Sequence, residues 1–190
     1  MKPVRVPVEE RFDPPRAAKI FCGFIYVRDL DLAEVLRLME HAWGPVEFIS
    51  KRMPFRSTRY YDQEMGTSLS RKFVTFQEEV DQEALPRLKW EATGVEGRYL
   101  DGRGCRRVNI DPGFLLPERL MLATTKPFAH RPYLARGVYA DVTLIYRKKS
   151  YRPLHWTYPD YGTPDAVRMM NNLREHGFLR KRAIEKDATE

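Results

Sequence analysis

KIFCGFIYVRDLDLAEVLRLMEHAWGPVEFIS, residues 19–50, decides the fold. Residues 20–27 are apolar on both faces and rich in β-formers, the pattern of a central strand covered on both sides. Asp31 then stands where a helix needs its N-cap, Glu34 follows three residues later, and Leu32, Val35, Leu36 and Met39 recur at i, i+3, i+4 and i+7. That spacing predicts an amphipathic helix. Gly44 offers a left-handed stop and Pro45 blocks continuation, so residues 46–50 restart as a second strand.

Working outward, residues 53–69 follow neither period and read as an ordered loop, and residues 72–76 as a third strand. Helix is expected over 81–100, its start drawn toward Pro86 because proline is tolerated in a first turn, and a fourth strand over 107–110. The order strand, helix, strand, strand, helix, strand is the ferredoxin-like arrangement. A short helix is expected over 117–122, a hairpin over 133–147 turning at Gly137, and an extended segment over 151–161. Thr163 and Pro164 open a last helix with Ala166, Met169, Met170 and Leu173 as its apolar stripe. The reading is one α+β domain over 19–179, mainly an antiparallel sheet with helices on one face and a C-terminal hairpin and helix added. A proline-rich extended arm at 1–18 precedes it and a charged tail at 180–190 follows.

The 190 residues are 43% hydrophobic and 31% charged, which suits a folded chain with a solvated surface. No stretch approaches the ~20 apolar residues of a membrane span, so the expected compartment is the cytoplasm, with no membrane partner. Two cysteines, Cys22 and Cys105, exclude a disulfide framework. There is no G-x-x-x-x-G-K-[ST] loop, strand-linked G-x-G-x-x-G, HExxH or C-x-x-C, so P-loop, Rossmann and zinc assignments lack support. The net charge of +7 is concentrated: residues 106–161 hold ten basic and four acidic groups, six of the seven net charges. Such a segment attracts phosphates and other anions without itself specifying one.

Strand alternation locates a candidate surface inside that segment. In RRVNIDPG, Val108 and Ile110 point one way and Arg107, Asn109 and Asp111 the other. In GVYADVTLIYR, Val138, Ala140, Val142 and Leu144 take the core side and Tyr139, Asp141 and Thr143 the opposite one. Between these strands the loop ATTKPFAHRPYL brings Lys126, His130 and Arg131 together. Arginine grips phosphate or carboxylate bidentately, lysine adds a point charge, and histidine moves protons near neutral pH. Asp111 and Asp141 are acceptors for a divalent metal ion, the one cofactor the residues suggest. In LHWTYPDY, Trp156 and Tyr158 offer stacking faces beside Asp160. Arg107, Asn109, Lys126, Arg131, Trp156, Tyr158 and Asp160 are therefore the candidate ligand-binding residues, and His130, Asp111 and Asp141 the candidate catalytic ones. The expected function is a module that binds an anionic, phosphate-containing ligand such as a nucleotide or RNA through a basic polar sheet face, with groups present for processing it. The alternative is a non-catalytic protein whose basic surface docks an acidic protein partner.

Taken in order, KIFCGFIY, GPVEFIS, YYDQEMG, RKFVTF, RRVNIDPGFL, LATTKPFAHRPYL, GVYADVTLIYR and WTYPDY resemble a bacterial family known as domain of unknown function 4416. The resemblance covers most of the chain and implies membership without an activity. Its motifs fall on the polar row and basic loop described above.

Overall fold

In the computed structural model, which describes residues 13–179, nine strands form one sheet whose neighbours all run antiparallel. The elements are β1 (Ala18–Val27), α1 (Leu32–Trp43), β2 (Val46–Ile49), β3 (Met53–Phe55), α2 (Asp62–Met65), β4 (Leu69–Val80), α3 (Leu85–Glu96), β5 (Val108–Leu115), β6 (Arg119–Thr124), β7 (Tyr133–Ala135), β8 (Val138–Arg147), β9 (Ser150–Pro153) and α4 (Pro164–Arg174). The order β2-β4-β1-β5 is the ferredoxin-like one; β6, β8 and β7 extend the sheet beyond β5, β3 pairs with β4, and β9 pairs with β8.

Local chemistry sets the helix ends. Asp31 accepts a 2.9 Å hydrogen bond from the Ala33 amide at the start of α1, and Gly44, at φ 81°, returns its N–H to Glu40 at the end. Pro86 sits in the first turn of α3, which starts at Leu85 rather than at residue 81. Thr163 caps α4 by accepting from the Ala166 amide.

Alternation along β1 feeds two cores. Ile20, Cys22, Phe24 and Tyr26 pack beneath α1 and α3 with Val35, Met39, Leu88 and Ala92. Phe21 faces the other way and joins Phe73, Leu115, Leu120, Leu122 and Leu144 beneath Ala166 and Met170 of α4. The two helices of the ferredoxin-like unit thus share one face, and the added C-terminal helix covers part of the other.

Five local expectations change. Residues 119–124 form β6 in place of a short helix, because Leu120 and Leu122 bury on the α4 side while Met121 and Ala123 bury on the α1–α3 side, a period of two. The expected loop at 53–69 contains β3 and α2. The third strand begins at Leu69 and runs to Val80, and the fourth continues from Ile110 through Pro112 to Leu115. Pro112 is tolerated because it pairs with Cys22 of β1 while the ladder to β6 starts only at Gly113. A bulge also breaks the alternation of β8: Met121 pairs with Val142 and Leu120 with Leu144, so Thr143 is the extra residue and Leu144 turns to the α4 side rather than the face of Val138 and Ala140. Residues 1–12 of the expected arm and the tail at 180–190 lie outside the described residues. Among the described residues no helix is long and apolar enough to cross a membrane.

The β5–β6 crossing depends on Gly113. A Cβ there would meet the Met121 carbonyl oxygen and lie 2.8 Å from Leu122 Cδ2. Gly113→Ala is expected to destabilise by about 1–3 kcal/mol through overpacking, a fall of roughly 2–12 °C in Tm for a chain of this size. Calorimetry checks it, and an unchanged Tm would contradict this strand spacing.

Candidate functional site

The sheet face that carries α4 is not covered along its whole length. One apolar cluster lies under α4, and a second, of Ile25, Phe55, Met65 and Leu69, lies under α2 and β3. Between them is a cavity of about 650 Å³. Strand register builds its floor: Ile25 pairs with Arg71 on one side and Asn109 on the other, and Gly23 pairs with Phe73 and Asp111. A further row runs Gly113, Leu122, Asp141. Period-two alternation therefore points Arg71, Asn109, Asp111 and Asp141 at the same space.

Arg71 is the most demanding of these groups. It is 3% exposed, and its guanidinium carbon lies 4.8 Å from the Phe73 ring and 4.7 Å from the Tyr161 ring. Nη2 is 2.8 Å from Asp160 Oδ2 and Nη1 is 3.7 Å from Asp111 Oδ2. The Asp160 contact is a charge pair without an aligned hydrogen bond, since Oδ2 has no hydrogen-bond donor. Nε and Nη1 are buried without hydrogen-bond partners, as is the Tyr161 hydroxyl. Burial opposes the charge on Arg71, but Tyr161, Asp160 and Asp111 outweigh it and leave its pKa above the ordinary value. Gly23 makes the room: a Cβ there would strike the Tyr161 hydroxyl and come within 3.2 Å of the Arg71 guanidinium.

Asn109 is oriented from behind. Arg106 donates to its Oδ1 at 3.0 Å and is itself held bidentately by Glu64 at 2.7 and 2.9 Å and by Glu96 at 3.1 Å. With Oδ1 engaged, Asn109 Nδ2 is left as a buried donor with no partner. The hydrogen bond from Arg106 also holds the Glu64 carboxyl below its ordinary range. Across the cavity, Arg131 Nε donates to Asp141 Oδ2 at 2.9 Å and Nη2 donates to the Tyr158 hydroxyl at 2.9 Å. The bulge residue Thr143 donates to Asp141 Oδ1 at 3.3 Å, so both oxygens of this buried carboxylate are engaged within the protein. Lys126 lies 3.6 Å from the centre of the Tyr60 ring, and both line the cavity.

Of the residues expected from sequence, Asn109, Asp111, Lys126, Arg131, Asp141, Tyr158 and Asp160 line this one cavity. Arg107 does not; it pairs with Asp29 at 2.7 Å on the outside. His130 stands behind Asp141, its Nε2 3.5 Å from Oδ2, with its ring stacked 4.7 Å from that of Trp156. Neither His130 nor Trp156 lines the cavity; Trp156 donates to the Val142 carbonyl oxygen at 2.9 Å. Among the described residues no group of three or more His, Cys, Asp or Glu side chains is placed to hold a metal ion.

Arg71, Arg106, Tyr60, Tyr61 and Tyr161 were missed. For Arg71 the signal was in LSRKFVTF: it falls between Leu69 and Phe73 at period two, a charge on a core-facing row. A strand begun at residue 72 hides that anomaly.

The chain matches the family described as Domain of unknown function (DUF4416) over residues 16–176, and it belongs to that family. No curated protein and no solved structure matches it.

Tyr158 reports on the enclosure of the site. Burial, partly opposed by Arg131, pushes its hydroxyl up to about 12. The folded state then keeps a proton that the unfolded chain releases near pH ~10, so the stability tied to this group falls as pH rises through that window. Tyrosinate formation followed by NMR, assigned with Tyr158→Phe, should place Tyr158 near 12. Ionisation near 10 would contradict its burial.

Proposed function

We propose that this member of the DUF4416 family binds a small phosphorylated ligand of about mononucleotide size in the cavity between the two apolar clusters. The observation that carries this reading is the set of donors without a hydrogen bond: Arg71 Nε and Nη1, Asn109 Nδ2 and the Tyr161 hydroxyl are all buried with no hydrogen-bond partner, and all three residues line one cavity. Buried polar groups in folded proteins are nearly always paired, and several orphans on residues that line one space point to a ligand that supplies the missing partner. Here the missing partner is an oxyanion.

The rest of the lining fits such a ligand. Lys126 adds an ammonium group to the wall beside the Tyr60 ring. The volume of about 650 Å³ falls in the range of small-molecule pockets, and Tyr60, Tyr61 and Tyr158 offer ring faces for a base or other planar group. Asp111, partly exposed and only 3.7 Å from Arg71 at its nearest approach, is the carboxylate free to accept from a ligand hydroxyl or amine. Concavity favours this reading over docking of a protein partner on an open face.

Thermal shifts test it. A mononucleotide at 100 times its Kd should stabilise by about 2.7 kcal/mol, a rise of roughly 5–10 °C, whereas the matching nucleoside should give little. Asn109→Asp keeps the shape but aims a carboxylate at the phosphate, so it should weaken binding at least tenfold. An absence of any shift with phosphorylated compounds, or equal shifts with the nucleoside or with N109D, would overturn the proposal.

A further inference from the structure

A second concavity, of about 460 Å³, lies on the other side of Phe55. Arg28, which follows β1, and Arg52 and Arg56, which flank β3, stand around it with Thr67 and Ser68, which precede β4, and Ser70 within it. The charge pattern differs from that of the main cavity. There, Arg71, Arg106 and Arg131 each have a carboxylate within reach. Here, none of the three arginines makes an ion pair with another described residue, and no acid lines the walls. Asp29, next to Arg28 in sequence, is engaged by Arg107 at 2.7 Å.

An anion seated among three unpaired guanidiniums is attracted by all three charges. Each presents a planar fork suited to phosphate oxygens, and the hydroxyls of Thr67 and Ser68 are donors beside them. Phe55 is the common wall. It lines both hollows, and the Arg71 guanidinium carbon lies 5.7 Å from its ring.

We infer that the Arg28–Arg52–Arg56 cleft is a second phosphoryl-binding site, adjoining the main cavity across Phe55. Its arginines are exposed, so it holds phosphate more weakly than the buried set and yields more readily to salt. It stands on its own residues and does not require the reading of the main cavity to be right.

The test is a titration with inorganic pyrophosphate, followed through the backbone amides of the folded protein. Saturable shifts are expected at Thr67, Ser68 and Ser70, and an R52A/R56A variant should weaken them at least tenfold. Both side chains are exposed, so the variant should fold, and unchanged amide positions elsewhere verify that it has. No saturable shift at those amides, or the same affinity in R52A/R56A, would overturn the site. Shifts there without any at Lys126 or Asp141 would leave this site standing while the main-cavity reading failed. A 5′-phosphorylated dinucleotide separates the sources: a loss of affinity in R52A/R56A that a mononucleotide does not share assigns the cleft to a strand reaching out of the cavity, and equal losses assign it to free phosphate.

Discussion

A guanidinium removed from water is the constraint around which this site is arranged. Taking such an ion out of solvent costs several kcal/mol even after relaxation, and only close charges and hydrogen bonds offset it. Arg71 has the charges, in Asp160 and Asp111, and two aromatic faces, in Phe73 and Tyr161. It lacks hydrogen bonds at Nε and Nη1. Its environment therefore keeps it cationic and incompletely satisfied at once, a combination with little value to stability.

Strand parity explains why the arginine can be there. On β1 the even-numbered residues from Ile20 to Tyr26 form the core beneath α1 and α3, and the odd-numbered face carries Phe21 and Ile25 with Gly23 between them. α4 covers Phe21, and the α2–β3 region covers Ile25. The missing side chain of Gly23 leaves the gap that Arg71 and Tyr161 enter. The cavity is thus a product of where two apolar clusters stop. The polar network behind it, Arg106 with Glu64 and Glu96, then fixes which end of Asn109 faces inward.

Much of this was readable beforehand because it follows from period alone. Asn109, Asp111 and Asp141 share a surface, as alternation on their strands implies, and the capped helices α1 and α4 start where Asp31 and Thr163 stand. What was hidden had specific causes. The bulge at Thr143 reverses the facing of Leu144 and cannot be seen in a single strand, since it exists only as a mismatch with β6. β6 itself reads as a helix start after Pro117 until its pairing with β8 is known. Arg107 and Arg106 are adjacent and chemically alike, and only tertiary placement sends one to Asp29 outside and the other into the wall. Charge counting also misled in part, because Arg106, Arg107 and Arg131 are neutralised by carboxylates, and the wall depends more on which donors are left over than on net charge.

Donors left over for an oxyanion should bind one where it can be observed directly. Crystals soaked in tungstate, a tetrahedral phosphate mimic with strong anomalous scattering, should show a peak within hydrogen-bond distance of Arg71 Nη1 and Asn109 Nδ2. A cavity that stays free of tungstate at saturating concentration, with those donors bonded instead to protein groups, would contradict an oxyanion site there.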